Sequence, residues 1–236
     1  MKINTTKNHE FLQFIEDWLA QLKTLRVAEL AAFGDEIAIV SVDLLKGFCD
    51  FGPLSSPRVA NIVVPTTALM TSLWQYGVRH ILLSQDAHDA NAVEFSAFPP
   101  HCIRGSAEAE TVDAIRDLPF FNQITILEKN SIASDLNVQL SEWIHNHPKV
   151  KSYIVVGDCT DLCTYQLAMF LRASANEHQV ERRVIVPADC VATYDLPLEV
   201  ASAAKVMPHP GDLLHAVFLY HMALNGIEVV AGIHAK

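Results

Sequence analysis

Two cysteines lie four residues apart in the run Val155-Val156-Gly157-Asp158-Cys159-Thr160-Asp161-Leu162-Cys163. The apolar residues before Gly157 read as a buried strand. A helical pattern follows from about Thr160 through Leu167, Met169 and Leu171. Cys163 then falls in the first turn of a helix, where unpaired N–H groups and the helix dipole favour negative charge and lower a thiol pKa. A thiolate in that setting is a nucleophile with an oxyanion site beside it. The same spacing also suits two small apolar side chains packed under a helix. Cys159 is a rival nucleophile, although in a turn its backbone N–H is more useful than its thiol. Asp161 reads as a first-turn residue favoured by the dipole, and His209 and His215 as structural or surface residues.

A thiol needs a base, and a partly buried carboxylate with a raised pKa can serve. Asp43 closes one apolar run and Lys129 follows another, so Asp43, Lys129 and Cys163 form a candidate set. Its alternative is a structural ion pair between Asp43 and Lys129. A second group is Asp86 and His88, two residues apart, with Glu94 and His101 from the loop that follows. Such a mixed nitrogen and oxygen set suits one divalent ion of Zn, Mn or Fe and leaves positions open for water or substrate. Solvated loop residues would give the same pattern. Pro99-Pro100 stiffens the approach to His101. Phe48 and Phe98 either wall a flat ligand's pocket or anchor their loops in the core.

These residues must be positioned by the elements around them. Apolar residues Phe11, Phe14, Ile15, Trp18, Leu19, Leu22 and Leu25 recur at helical spacing and predict an amphipathic N-terminal helix. Short β-rich runs follow at 36–43, 80–86, 123–128, 152–156, 183–186 and 227–231. Between them lie a helical pattern over 59–74, broken by Pro65, and a short helix over 107–115. A third helix, capped near Ser134 and Asp135, reaches residue 143, and two more begin near 197 and 212. The loop over 87–105 is long for a structural connection, which points to function. Strands alternating with helices predict a doubly wound α/β domain: six mostly parallel strands in the order 3-2-1-4-5-6, with helices on both faces. Ligands bind outside the carboxyl ends of such strands at the switch point, and Asp43, Asp86, Lys129 and Cys163 all fall on that edge. The domain is expected to span 1–236 as one unit, with a helical extension over 1–34.

Half of the 236 residues are hydrophobic and 19% are charged, enough apolar content for a large core. The formal charge of −10 argues against nucleic acid and anionic membranes as partners. Five cysteines, an odd number, do not make a disulfide framework. No apolar run is long enough to span a bilayer, and Met1-Lys2-Ile3-Asn4 lacks a signal-type apolar region, so a cytoplasmic enzyme is expected. The hydrophobic fraction and the apolar N-terminal helix predict a homo-oligomer.

The motifs Val42-Asp43-Leu44-Leu45-Lys46-Gly47-Phe48-Cys49, Asp86-Ala87-His88, Phe98-Pro99-Pro100-His101-Cys102-Ile103-Arg104-Gly105, Glu128-Lys129 and Gly157-Asp158-Cys159-Thr160-Asp161-Leu162-Cys163 together resemble the isochorismatase-like cysteine hydrolases. Within that group they resemble nicotinamidases, with Cys190-Val191-Ala192-Thr193-Tyr194-Asp195-Leu196-Pro197 most similar to the plant type. The resemblance runs from about Glu36 to the C-terminal strand. It implies a triad of Asp43, Lys129 and Cys163, an oxyanion hole from the N–H groups of Cys159 and Cys163, and a cis peptide at Asp158–Cys159. It also implies a metal held by Asp86, His88, Glu94 and His101 that binds a pyridine nitrogen, with Phe48 and Phe98 sandwiching the ring. The implied reaction is hydrolysis of nicotinamide to nicotinate and ammonia through a thioester, in NAD salvage. The alternative is a related amidase for another small amide or an N-carbamoyl compound. Leu45 stands where many members have Gln, Phe98 where many have Trp, and Glu94 where a subgroup has His.

Overall fold

The computed structural model describes residues 4–235. In chain order the elements are α1 (Thr5–Ala20), β1 (Thr24–Arg26), β2 (Ile37–Val42), α2 (Lys46–Cys49), α3 (Pro57–Ala60), α4 (Val63–Tyr76), β3 (His80–Asp86), α5 (Asp113–Arg116) and β4 (Thr125–Lys129). They continue with α6 (Val138–Asn146), β5 (Ser152–Asp158), α7 (Cys163–Glu177), β6 (Arg183–Pro187), β7 (Val191–Ala192), α8 (Leu198–Ala204), α9 (Gly211–Leu224), β8 (Glu228–Val230) and β9 (Gly232–His234).

The main sheet runs β4-β3-β2-β5-β6-β8, and every pairing in it is parallel. This is the expected order of the six strands read from the sequence. A seventh strand, β7, takes over from β6 along the upper edge of β5: β6 pairs Ser152–Ile154, and β7 pairs Gly157 and Asp158. Parallel strands need both faces covered. In β2 all six residues are buried, Ile37 and Ile39 in one apolar layer and Ala38, Val40 and Val42 in the other. The alternation follows directly from the pleat. Leu69 and Leu73 of α4 fill the first layer, and Leu167 and Leu171 of α7 the second. No helix among the described residues is long and apolar enough to cross a membrane.

Several boundaries differ from those expected. The N-terminal helix stops at Ala20, and Leu25 belongs to β1, which pairs in parallel with β9 near the other end of the chain. Helical spacing continues through Leu22 and Leu25 by coincidence, because a strand partner so remote leaves no local signal. Val27 and Leu30 are buried in the main core; of the expected helical extension over 1–34, α1 covers Thr5–Ala20, and residues 1–3 lie outside those described. Phe11, Phe14 and Trp18 of α1 surround Tyr220 of α9 at centroid distances of 5.3, 6.0 and 5.6 Å. The helical pattern over 59–74 divides into α3 and α4, with Pro65 in the first turn of α4, where its missing N–H is harmless. The expected helix over 107–115 is a 3-10 turn at Ala107–Ala109 and the single-turn α5. Asn137, not Ser134 or Asp135, caps α6 by accepting from Gln139 N.

One glycine fixes how closely the two central strands approach. Gly157 has φ +113°, and a Cβ there would sit 2.0 Å from the Val42 carbonyl oxygen. Gly157→Ala should therefore cost about 3 kcal/mol or more of stability in urea unfolding, through both strain and overlap. A loss below about 1 kcal/mol would show that β2 and β5 part easily at this point.

Candidate active site

The carboxyl ends of β2, β3, β4 and β5 are level. Val42 pairs with Ser84 and with Gly157, and Asp86 pairs with Lys129. Each strand therefore delivers its last or next residue to one place. Asp43 leaves β2 with φ 54°, a left-handed conformation rarely taken by aspartate. The turn is held because Asp43 N donates to Ser84 O at 2.9 Å, and Asp43 Oδ1 accepts from Asp86 N at 2.8 Å. Asp43 Oδ2 accepts from Lys129 Nζ at 2.7 Å, and Lys129 also donates to Asp86 Oδ1. Lys129 ends β4 rather than following it. The Cys163 Sγ atom and one carboxylate oxygen from each of Asp43 and Asp86 lie within 4.8 Å of one another, all buried. The Lys129 ammonium already supplies the cation between the two carboxylates.

Burial and the charge of Asp86 raise the Asp43 carboxyl to about 6, against the pull of Lys129. Burial alone would raise Asp86 too, but the adjacent Lys129 ammonium, with His101 and His88 facing the carboxylate, holds it well below the usual carboxylate range. Burial would lower Lys129, yet Asp43 and Asp86 keep it charged, well above its usual value. Cys163 departs from expectation. Burial pushes its thiol well above the usual range, and the charges of Asp43 and Asp86 add to this against Lys129. The helix N-terminus does not offset the loss of water and two nearby carboxylates. Cys163 is the first residue of α7; the helix begins there rather than at Thr160, whose N–H bonds to Ala192 O. The backbone N–H groups of Cys159 and Cys163 take no protein acceptor among the described residues. The Asp158–Cys159 peptide is cis.

The second group gathers on the far side of Asp86. From Asp86 Oδ2, His88 Nε2 lies at 3.5 Å and His101 Nε2 at 3.8 Å; Glu94 Oε1 lies 3.9 Å from His88 Nε2. His101 Nδ1 donates to Pro99 O at 2.8 Å, which leaves its Nε2 unprotonated. His88 Nδ1 faces Asn130 Oδ1 at 3.2 Å, an oxygen that also accepts from Asp89 N at 3.0 Å. This orients His88 in the same way. His88 Nε2 and Glu94 Oε1 are buried with no hydrogen-bond partner among the described residues. Asp86, His88 and His101 bring one ligand atom each within 4.8 Å of one another, a set that fits a divalent ion, while Glu94 stands outside this group and of these atoms approaches only His88 Nε2.

Both groups open onto one cavity. Asp43, Asp86, Glu94, His101 and Cys163 line it, and so do Phe48 and Phe98. Phe48 and Phe98 have ring centroids 5.6 and 6.3 Å from that of His101. The cavity also takes Asp158 and Tyr194, neither singled out from the sequence for the wall. Tyr194 stacks on His209 at 3.8 Å, and His209 Nε2 lies 2.8 Å from Asp161 Oδ2. Asp161 also accepts from Thr193 Oγ1 at 2.6 Å. Asp161 is therefore not an exposed first-turn residue. Burial would raise its carboxyl, but bonds from His209 and Thr193 hold it below the usual range. The pair ties the cysteine turn to the Tyr194 segment across a long sequence separation, which residue spacing does not reveal. His215 likewise faces Thr160 Oγ1 at 2.9 Å.

A family model for the isochorismatase domain matches residues 37–215. Nicotinamidase 1 of Arabidopsis thaliana is 30% identical over 213 residues, covering 84% of this chain and 86% of that protein. Among solved structures, the pyrazinamidase of Pyrococcus horikoshii in complex with zinc is similar with a TM-score of 0.64 at 21% identity, over 83% of this chain and 98% of its own. PnC1 of L. infantum in complex with nicotinate gives a TM-score of 0.67 at 18% identity, over 86% and 98%. These two likenesses establish a shared fold.

Proposed function

The chain belongs to the isochorismatase family, and from that premise we propose that it is an amidohydrolase that converts nicotinamide to nicotinate and ammonia. The observation that carries this reading is Asp86. One of its oxygens bonds Lys129 beside Asp43 and Cys163, and the other faces His88 and His101. A nucleophile cluster and a metal-type donor set are thereby fixed at a short separation on one cavity wall. A ring nitrogen and a carboxamide of one small molecule call for that pairing.

In this mechanism the resting Cys163 thiol is neutral and must give up its proton as it attacks. Asp43, raised by burial, is a stronger base than an exposed carboxylate and takes that proton while Cys163 Sγ bonds the carboxamide carbon. The N–H groups of Cys159 and Cys163 receive the developing oxyanion. Asp43 returns the proton to the nitrogen, ammonia leaves, and a thioester remains on Cys163. Water, deprotonated by Asp43, then releases nicotinate and restores the thiol. Lys129 stays charged throughout and holds Asp43 in place. Asp86, His88, Glu94 and His101 would hold the divalent ion, which when bound supplies a Lewis acid for the pyridine nitrogen. Phe48 and Phe98 would face the ring.

Ammonia release tests the reading. Reduced protein supplied with Zn, Mn or Fe should release ammonia and nicotinate from nicotinamide faster than from N-carbamoyl amino acids or aliphatic amides. Release confined to the latter would move the assignment to another amidase of the family. His88→Ala should lower the metal content found by elemental analysis, and weaken metal binding by more than the about 10–100-fold that loss of an outer-shell partner costs. Unchanged stoichiometry would refute the donor set.

A further inference from the structure

Asp158 is a carboxyl group on the cavity wall that neither cluster uses. It ends β5, is 1% exposed, and its Oδ1 has no hydrogen-bond partner among the described residues. Its other oxygen meets only the Cys159 thiol, at 3.8 Å. A buried polar atom without a partner destabilises a fold, and native proteins keep few of them. One that faces a cavity points to a partner arriving with the ligand.

We propose that Asp158 binds the carboxamide nitrogen of the substrate and so selects primary amides over esters and N-substituted amides. This deepens the nicotinamidase reading and rests on it. Each polar group of a pyridine carboxamide has a counterpart on the cavity wall. The ring nitrogen belongs to the donor set of Asp86, His88, Glu94 and His101. The carbonyl oxygen belongs to the N–H groups of Cys159 and Cys163. Asp43 is committed to Lys129, Asp86 N and the thiol. The amide N–H groups then need an acceptor, and Asp158, a residue of the cavity wall, carries a buried oxygen with no partner among the described residues. Asp158 directly precedes Cys159, whose N–H is one of the two oxyanion donors. Burial, reinforced by Asp43 and Asp86, holds the Asp158 carboxyl well above the usual range, so it meets the substrate as a neutral acid with a free carbonyl oxygen.

The test compares nicotinamide with methyl nicotinate, which has no N–H. Asp158→Leu should lower kcat/KM for nicotinamide about 10- to 100-fold and leave methyl nicotinate within about threefold. Its melting temperature should equal or exceed that of the wild type, because an unpartnered buried group is removed. Asp158→Asn keeps the acceptor and should restore most of the lost discrimination. If Asp158→Leu does not fold, Asp158→Val supplies the same ratio. An equal fall for amide and ester, or no fall for either, would overturn the assignment. Wild-type protein silent on nicotinamide would instead overturn the proposed function, so the two failures are separable.

Discussion

Cys163→Ala is expected to lower nicotinamide turnover by at least about 10⁴-fold while leaving nicotinamide affinity within about threefold. The side chain forms the only covalent bond in the mechanism, so its loss removes the pathway rather than weakening it. The wall residues Phe48, Phe98 and His101, which the proposal assigns to the ring, are untouched by the change. Isothermal titration of the variant with nicotinamide, beside a steady-state assay, separates the two effects. Residual activity above about 1% of wild type would place the nucleophile elsewhere, and Cys159 would be the next residue to change. The buried neutral thiol gives a second expectation: small alkylating agents should react slowly with free enzyme, because the reactive thiolate forms only as Asp43 takes the proton.

Lys129→Met is expected to cost about 3–5 kcal/mol of stability in metal-free protein, because two buried carboxylates then face each other without a cation. Lys129 is 4% exposed, and both Asp43 and Asp86 depend on it. The effect should depend on pH in a defined direction. In the wild type, Asp86 has its pKa depressed on folding, so it adds stability above its unfolded pKa and loses that contribution as pH falls through the folded value. Asp43 already lies above its unfolded value in the wild type, and without Lys129 burial moves it further up and moves Asp86 above its unfolded value as well. Such groups favour the fold at low pH and oppose it as pH rises. The deficit of the variant should therefore be larger at pH 8 than at pH 4 in urea unfolding with chelator present. A deficit below about 1 kcal/mol, or one that shrinks with rising pH, would show that Lys129 is not the clamp of this cluster.

The residues that carry this chemistry were legible because strands end abruptly. Asp43, Asp86 and Lys129 each close an apolar run, and a parallel sheet brings such ends to one edge. The strand order followed from the alternation of strands and helices, because six parallel strands in a doubly wound domain most often take that order. What the sequence hid lies in contacts between distant segments. The β1–β9 pair joins the two ends of the domain, and β7 is two residues long, too short for a pattern. Asp161 looked like an ordinary helix-start carboxylate until His209 proved to be its partner. The direction of the Cys163 shift was misjudged because position in a helix is visible in sequence and depth of burial is not. Asp158 shows the same limit: nothing in its neighbours along the chain reveals that its oxygen is buried and unpartnered.

The most direct test of a cysteine-borne mechanism is to trap its intermediate. Wild-type protein mixed with nicotinamide and quenched in acid within a turnover should carry a nicotinoyl group, found by intact mass and placed on Cys163 by peptide mapping. Asp43→Asn should show neither adduct nor product on the same timescale. Ammonia release with no adduct under any quench time, or an adduct mapped to Cys159, would contradict the mechanism.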